Sequence, residues 1–234
     1  NFKGNPFDFA TKYYKLSGSE LLTKLNEELN LGLDKKRPSY SKDTSENTVI
    51  PKAKIEAPKF SFFKRPVKNI TPSKKVSLFE VYQLIKSDLY KPNTLNIRQI
   101  QDKAKSREYK ALNFDYVTFS GIFSKRNDSD LIKHTGLITI DFDHIPDLEQ
   151  LKNALLNDEY FDTELLFVSP SGDGLKWIIP IDLSQGSHKF LFNAVAAYIK
   201  KTYKLEVDKS GKDISRACFL PYDSNIFINP KYLE

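Results

Sequence analysis

Methionine is absent from the 234-residue sequence and cysteine occurs once. A single thiol, Cys218, can neither close an intrachain disulfide nor build a zinc cluster, so the expected compartment is the cytoplasm. Long apolar runs are missing as well. The densest, Leu191 to Ile199, is interrupted by Asn193 and falls far short of the roughly 18 residues that a membrane span needs. The start shows no signal-peptide pattern. An Asn1 start without any Met leads to the expectation of a piece of a longer protein. What is present is ordinary for a globular chain, 40% hydrophobic and 28% charged, which excludes a wholly disordered protein. The length predicts one to two domains.

Charge is unevenly spread. The net charge is +6, yet residues 35–75 hold twelve Lys/Arg against three acids, so that segment carries +9 and the remainder −3. A cationic stretch beside a mildly acidic domain suits a polyanionic partner, although a solvated linker has the same composition.

Residues 1–33 read as a small helical unit. Ser17 and Glu20 have capping-box spacing ahead of Leu21, Leu22, Leu25 and Leu29, and Gly32 follows as a stop. Residues 34–57 read as a basic linker rich in Lys, Ser and Pro. Order resumes with a strand at Phe60-Ser-Phe62-Phe63, a capped helix after Ser77, and a further helix over Ile97 to Arg107. Strands are expected at 116–123, 137–142, 164–169, 174–181 and 216–220, with helices at 147–157 and 187–203 and a hairpin across Ser171–Gly174. This alternation predicts an α+β or α/β sheet domain over 58–234.

Three segments carry residues suited to chemistry. In Gly136-Leu-Ile-Thr-Ile-Asp141-Phe-Asp143-His144, strand alternation puts Asp141 and Asp143 on one face, where paired carboxylates suit a hard divalent cation. A strand exit followed by a helix cap would use the same residues. In Ser169-Pro-Ser171-Gly172-Asp173-Gly174-Leu-Lys176, a glycine turn, a hydroxyl and a lysine could cradle a phosphate, or form a plain hairpin. In Asp208 to Phe219, Asp208 could complete a three-carboxylate site and Arg216 could bind phosphate. The alternative is a polar loop with a local Asp213–Arg216 pair.

Taken together and in this order, these three segments resemble the VirE N-terminal domain family of Bacteroidetes mobile-element and phage proteins, grouped with the archaeo-eukaryotic primase (primase-polymerase) superfamily. The similarity runs from about Phe60 to Pro230 and includes the loop Phe119 to Arg126 and the tail Tyr222-Asp-Ser-Asn225. It implies a primase-polymerase-type catalytic core with an RRM-like sheet, preceded by the small helical unit. On the matching positions it implies catalytic, metal-binding Asp141, Asp143 and Asp208, and nucleotide-binding Ser171, Gly172, Gly174, Lys176 and Arg216. The wider superfamily usually has His where this chain has Lys176. Residues 1–33 are similar to the end of a CHC2 zinc-binding primase domain, from just after its last cysteines, so zinc binding is not attributed to this chain.

The expected function is therefore a DNA primase-type nucleotidyltransferase from a mobile element or phage. It would use Mg²⁺ or Mn²⁺, nucleoside triphosphates and a single-stranded DNA template, without a membrane partner and with a possible helicase/ATPase domain elsewhere in the full-length protein. Lys35, Lys36, Arg37, Lys64, Arg65 and Arg126 are the expected nucleic-acid contacts, with Phe60, Phe62 and Phe63 read as core or as stacking platforms. Two competing expectations are a catalytically reduced binding module of the same fold and a metal-dependent nuclease.

Overall fold

The computed structural model describes residues 14–16, 20, 23, 24 and 57–233. The chain divides into two units, 1–52 and 53–234, and every element named below belongs to the second. Expectations for the helical unit 1–33 and the linker 34–57 fall almost entirely outside the described residues.

Ten strands and five α-helices are described: β1 (Lys59–Phe63), β2 (Lys74–Ser77), α1 (Leu78–Lys86), α2 (Lys91–Gln99), α3 (Lys103–Asn113), β3 (Tyr116–Thr118), β4 (Gly121–Phe123), β5 (Leu131–His134), β6 (Leu137–Phe142), α4 (Leu148–Leu156), β7 (Leu165–Val168), β8 (Leu175–Pro180), α5 (His188–Tyr203), β9 (Cys218–Phe219) and β10 (Phe227–Ile228). The fold is α+β. One antiparallel sheet has the order β2-β1-β3-β9, a second β10-β7-β8-β6, and β4 pairs with β5.

Caps set the helix starts. Ser77 and Glu80 form a reciprocal capping box on α1, while the side chains of Asp102, Asp147 and Ser187 accept N–H groups of the first turns of α3, α4 and α5. The expected helix over 97–107 is instead two helices. Asp102, capping Lys105 N–H at 2.8 Å, starts a new helix after the break at Ile100. The expected strand 116–123 is likewise split, with β3 pairing to β1 and β9 while β4 pairs to β5.

The second sheet is the middle layer. On one of its faces Ile138, Ile140, Phe142, Leu175, Trp177 and Ile179 pack against Leu151 and Leu155 of α4 and Phe192, Val195 and Ile199 of α5. On the other, Leu137, Leu165, Phe167 and Ile178 join Phe60, Phe62 and Val117 of the first sheet and Val81 and Ile85 of α1. Because β8 pairs antiparallel with both β6 and β7, it is inserted between two parallel strands joined by α4. That is the split β-α-β pattern expected of an RRM-like sheet. The closing strand is placed differently: β10 pairs outside β7, and the edge beside β6 is met by the Asp208 segment, whose N–H donates to the Asp141 carbonyl at 3.0 Å.

Phe60, Phe62 and Phe63 are fully buried, so they belong to the core and do not serve as stacking platforms.

Candidate active site

Alternation along β6 turns Ile138, Ile140 and Phe142 toward the helices and Asp141 toward the opposite face, where the two four-stranded sheets meet. Asp143 follows just past the strand. Asp208 leads a 3₁₀ turn, Lys209–Lys212, whose Gly211 packs so tightly that a Cβ there would meet the Phe192 ring and the Thr139 carbonyl. The first residue of α5 holds the same turn: the His188 ring nitrogen Nε2 lies 3.2 Å from the Gly211 carbonyl, and its Nδ1 lies 3.1 Å from His134 Nε2. Together these contacts bring one carboxylate oxygen of each of Asp141, Asp143 and Asp208 within 4.8 Å of one another. The three carboxylates expected from sequence thus converge.

Cations interleave with them. Lys176, directly opposite Asp141 in the β6–β8 pairing, forms an ion pair with Asp141 Oδ2. Arg216 Nη2 donates to Asp208 Oδ2 at 2.7 Å and lies 3.6 Å from Asp141 Oδ2. Arg216 therefore pairs with Asp208 rather than with the nearer Asp213. Burial, reinforced by the Asp141 and Asp208 charges, raises the Asp143 pKa above its ordinary value. Burial also opposes ionisation of Asp208, but the Ser210 N–H and the Arg216 and Lys176 charges outweigh it and lower its pKa. Asp141 is 5% exposed and its Oδ1 is buried without a hydrogen-bond partner. A buried carboxylate oxygen left unpaired is costly, and an oxygen-seeking divalent cation held by the three carboxylates is the ligand this donor set fits.

These groups line a cleft of about 440 Å³. Ser171 lines it too, as part of the turn between β7 and β8. Gly172 and Gly174 are not among the residues that line it. Gly172 sits at φ +87° with its N–H donated to the Ser169 carbonyl at 3.0 Å. Gly174 lies so close to the Phe142 carbonyl that a Cβ would collide with it. Both shape the turn, and Arg98 braces it from α2 through the Ser169 and Pro170 carbonyls.

Of the residues expected to contact nucleic acid, Lys35, Lys36 and Arg37 lie outside the described residues. Lys64 is ion-paired with the buried Asp115 at 3.2 Å, and Arg65 donates to the Asn113 carbonyl and to Asp115. Both are therefore engaged in holding β1 to the start of β3. Arg126 lines the cleft, stacked 5.3 Å over the Tyr116 ring. Arg107 and Lys110 of α3 also line it and were missed from sequence, because the helix that carries them was placed in the wrong register.

One family model, that of the BT4734-like N-terminal domain, matches residues 109–227. That stretch holds the carboxylates, the β7–β8 turn and Arg216. No curated protein and no solved structure matches the chain.

Proposed function

The chain belongs to the BT4734-like N-terminal domain family, and from that membership and the cleft together we propose that it is a primase-polymerase-type nucleotidyltransferase related to the VirE N-terminal type, adding nucleotides on single-stranded DNA. The observation that carries this reading is the convergence of Asp141, Asp143 and Asp208 with an unpaired Asp141 Oδ1, in a cleft that also holds Lys176 and Arg216.

Asp141, Asp143 and Asp208 would hold Mg²⁺ or Mn²⁺. A divalent cation supplies a lowered pKa for an attacking hydroxyl and neutralises charge on a leaving pyrophosphate. The chain's own groups do the rest. Lys176 and Arg216 exchange carboxylate partners for phosphate oxygens, and Ser171 adds a hydroxyl at the mouth of the turn. Tethers from β6 and His188 keep the Asp208 turn from moving as charge develops, so catalysis rests on positioning and charge neutralisation.

The test is incorporation of labelled nucleotide on a single-stranded template with Mg²⁺ and Mn²⁺ compared, the wild type beside Asp141→Ala. Metal-dependent extension that Asp141→Ala abolishes supports the reading. Nucleotide and metal binding without extension would make the chain a binding module of the same fold, and template cleavage without nucleotide would make it a nuclease.

A further inference from the structure

Five cations line the cleft, and they fall into two sets. Lys176 and Arg216 are paired with the metal-site carboxylates. Arg107, Lys110 and Arg126 have no carboxylate within ion-pair distance among the described residues. Two members of this second set sit on α3, where Lys103 extends the row. Lys103, Arg107 and Lys110 stand at i, i+4 and i+7, within an arc of about 60° on one helix face. The row spans about 10 Å along the helix axis. It starts with the exposed Lys103 and Arg107 and ends at the half-buried Lys110. There the ammonium lies 5.9 Å over the ring of Phe219, itself partly exposed in the cleft, and feels the charges of Asp141 and Asp143. No acidic residue occupies the first turn of α3, and Glu108 lies off this face.

A compact triphosphate held beside the carboxylates has no use for a row of cations that begins outside the cleft. A chain-like polyanion does, because successive phosphates can follow the row inward while an aromatic ring near its end offers a surface for a base or sugar. We propose that the Lys103–Arg107–Lys110 face of α3, continued by Arg126, is the track on which a single strand of nucleic acid enters the cleft. What the strand is for rests on the nucleotidyltransferase reading; that it binds there does not.

The experiment uses the full chain, a fluorescent oligo-dT and anisotropy titrations across a salt series. The variants are Lys103→Gln, Arg107→Gln and Lys110→Gln, singly and together. Lys105→Gln serves as control, since it removes the same charge from the same helix about 200° away from Lys103. The triple variant should bind the strand at least about tenfold more weakly and lower the log–log salt slope by about 2, at roughly 0.7 for each strand phosphate that no longer meets a cation. Lys105→Gln should bind as the wild type does. Manganese-dependent nucleotide affinity should survive in the triple variant. Unchanged strand binding in the triple variant, or an equal loss in Lys105→Gln, overturns the track. Loss of nucleotide affinity matching the loss of strand affinity overturns it too, by assigning these cations to the triphosphate. A wild type that fails to extend a primer, yet loses strand binding when the track is removed, sinks the enzyme reading and leaves the track standing.

Discussion

Lys176 and Asp141 face each other across β6 and β8, both largely buried, with Arg216 as the only other cation within 4 Å of the Asp141 carboxylate among the described residues. Removing one partner of a buried pair leaves the other charge uncompensated, which generally costs about 3–5 kcal/mol. Arg216 holds Lys176→Ala to the lower end of that range, read from urea denaturation. The same variant should weaken nucleotide binding by about 1.5–3 kcal/mol, the size of a lost charge-assisted hydrogen bond. Lys176→Arg, measured alongside by calorimetry, should recover stability more fully than affinity, because a guanidinium keeps the charge and changes the geometry. Unchanged nucleotide affinity in Lys176→Ala would remove that lysine from the binding site. At this scale the sequence was informative wherever the chemistry is local. Asp141 and Asp143 share a face by strand alternation, and the lysine two residues after Gly174 needs no tertiary information to be noticed. Lys110 carries no local signal, since only the folding of α3 and β9 around the cleft brings it over Phe219.

Among the elements, those with both a cap and a clear period were readable to within a residue or two. The strand expected at 137–142 has those bounds, and the helices after Asp147 and Ser187 start one residue past their caps. The elements left unread are short or defined by their partners. β10 has two residues, and β2 and β5 are half-exposed edges whose strand character comes from pairing with β1 and β4, whereas the two residues of β9 lie inside the strand expected at 216–220. A single helix over 97–107 does not show the basic face of α3, because Asp102 caps a separate helix that starts at Lys103. Element geometry also explains the glycine turn. Since a Cβ at Gly174 would collide with the Phe142 carbonyl, Gly174→Ala should push β8 away from the end of β6. Overpacking of this kind costs about 1–3 kcal/mol. Because Asp143 directly follows Phe142, the variant should also lose Mn²⁺ affinity, whereas Gly136→Ala, whose Cβ would meet its nearest neighbour at 3.6 Å, should lose stability through its φ of +76° but keep the metal. Urea denaturation and calorimetric Mn²⁺ titration on the two variants would separate a strained turn from a displaced site.

For the whole second unit, the carboxylate cluster joins parts of the chain that are far apart in sequence: β6 at the edge of the second sheet and the turn after α5, with cations arriving from β8 and α3. Without a metal ion the Asp143 charge opposes folding, because it is buried and repelled by the Asp141 and Asp208 charges, although Lys176 and Arg216 pair with those two; with one, the cluster binds the parts together. The raised pKa of Asp143 reflects its burial first and that repulsion second. A carboxyl whose folded pKa lies above its ordinary 3.8 gives up stability as pH rises through that interval, since the folded state holds the proton longer than the unfolded chain does. Asp143→Asn should therefore melt higher than the wild type at neutral pH in EDTA, and this advantage should fade as the pH falls toward 3.8 and the wild-type carboxyl protonates. Adding Mn²⁺ should reverse the order. A cation bound only to the folded state adds about 2.7 kcal/mol at a hundredfold excess over its dissociation constant. For a unit of this size that is a rise of about 5–10 °C in the wild type. Asp143→Asn, with one ligand lost, should show little of it. Differential scanning fluorimetry with EDTA and with Mn²⁺ at two pH values measures all four states. A wild type whose melting temperature ignores Mn²⁺, or an Asp143→Asn variant that is less stable than the wild type in EDTA at neutral pH, would mean that the three carboxylates are held for some purpose other than a metal.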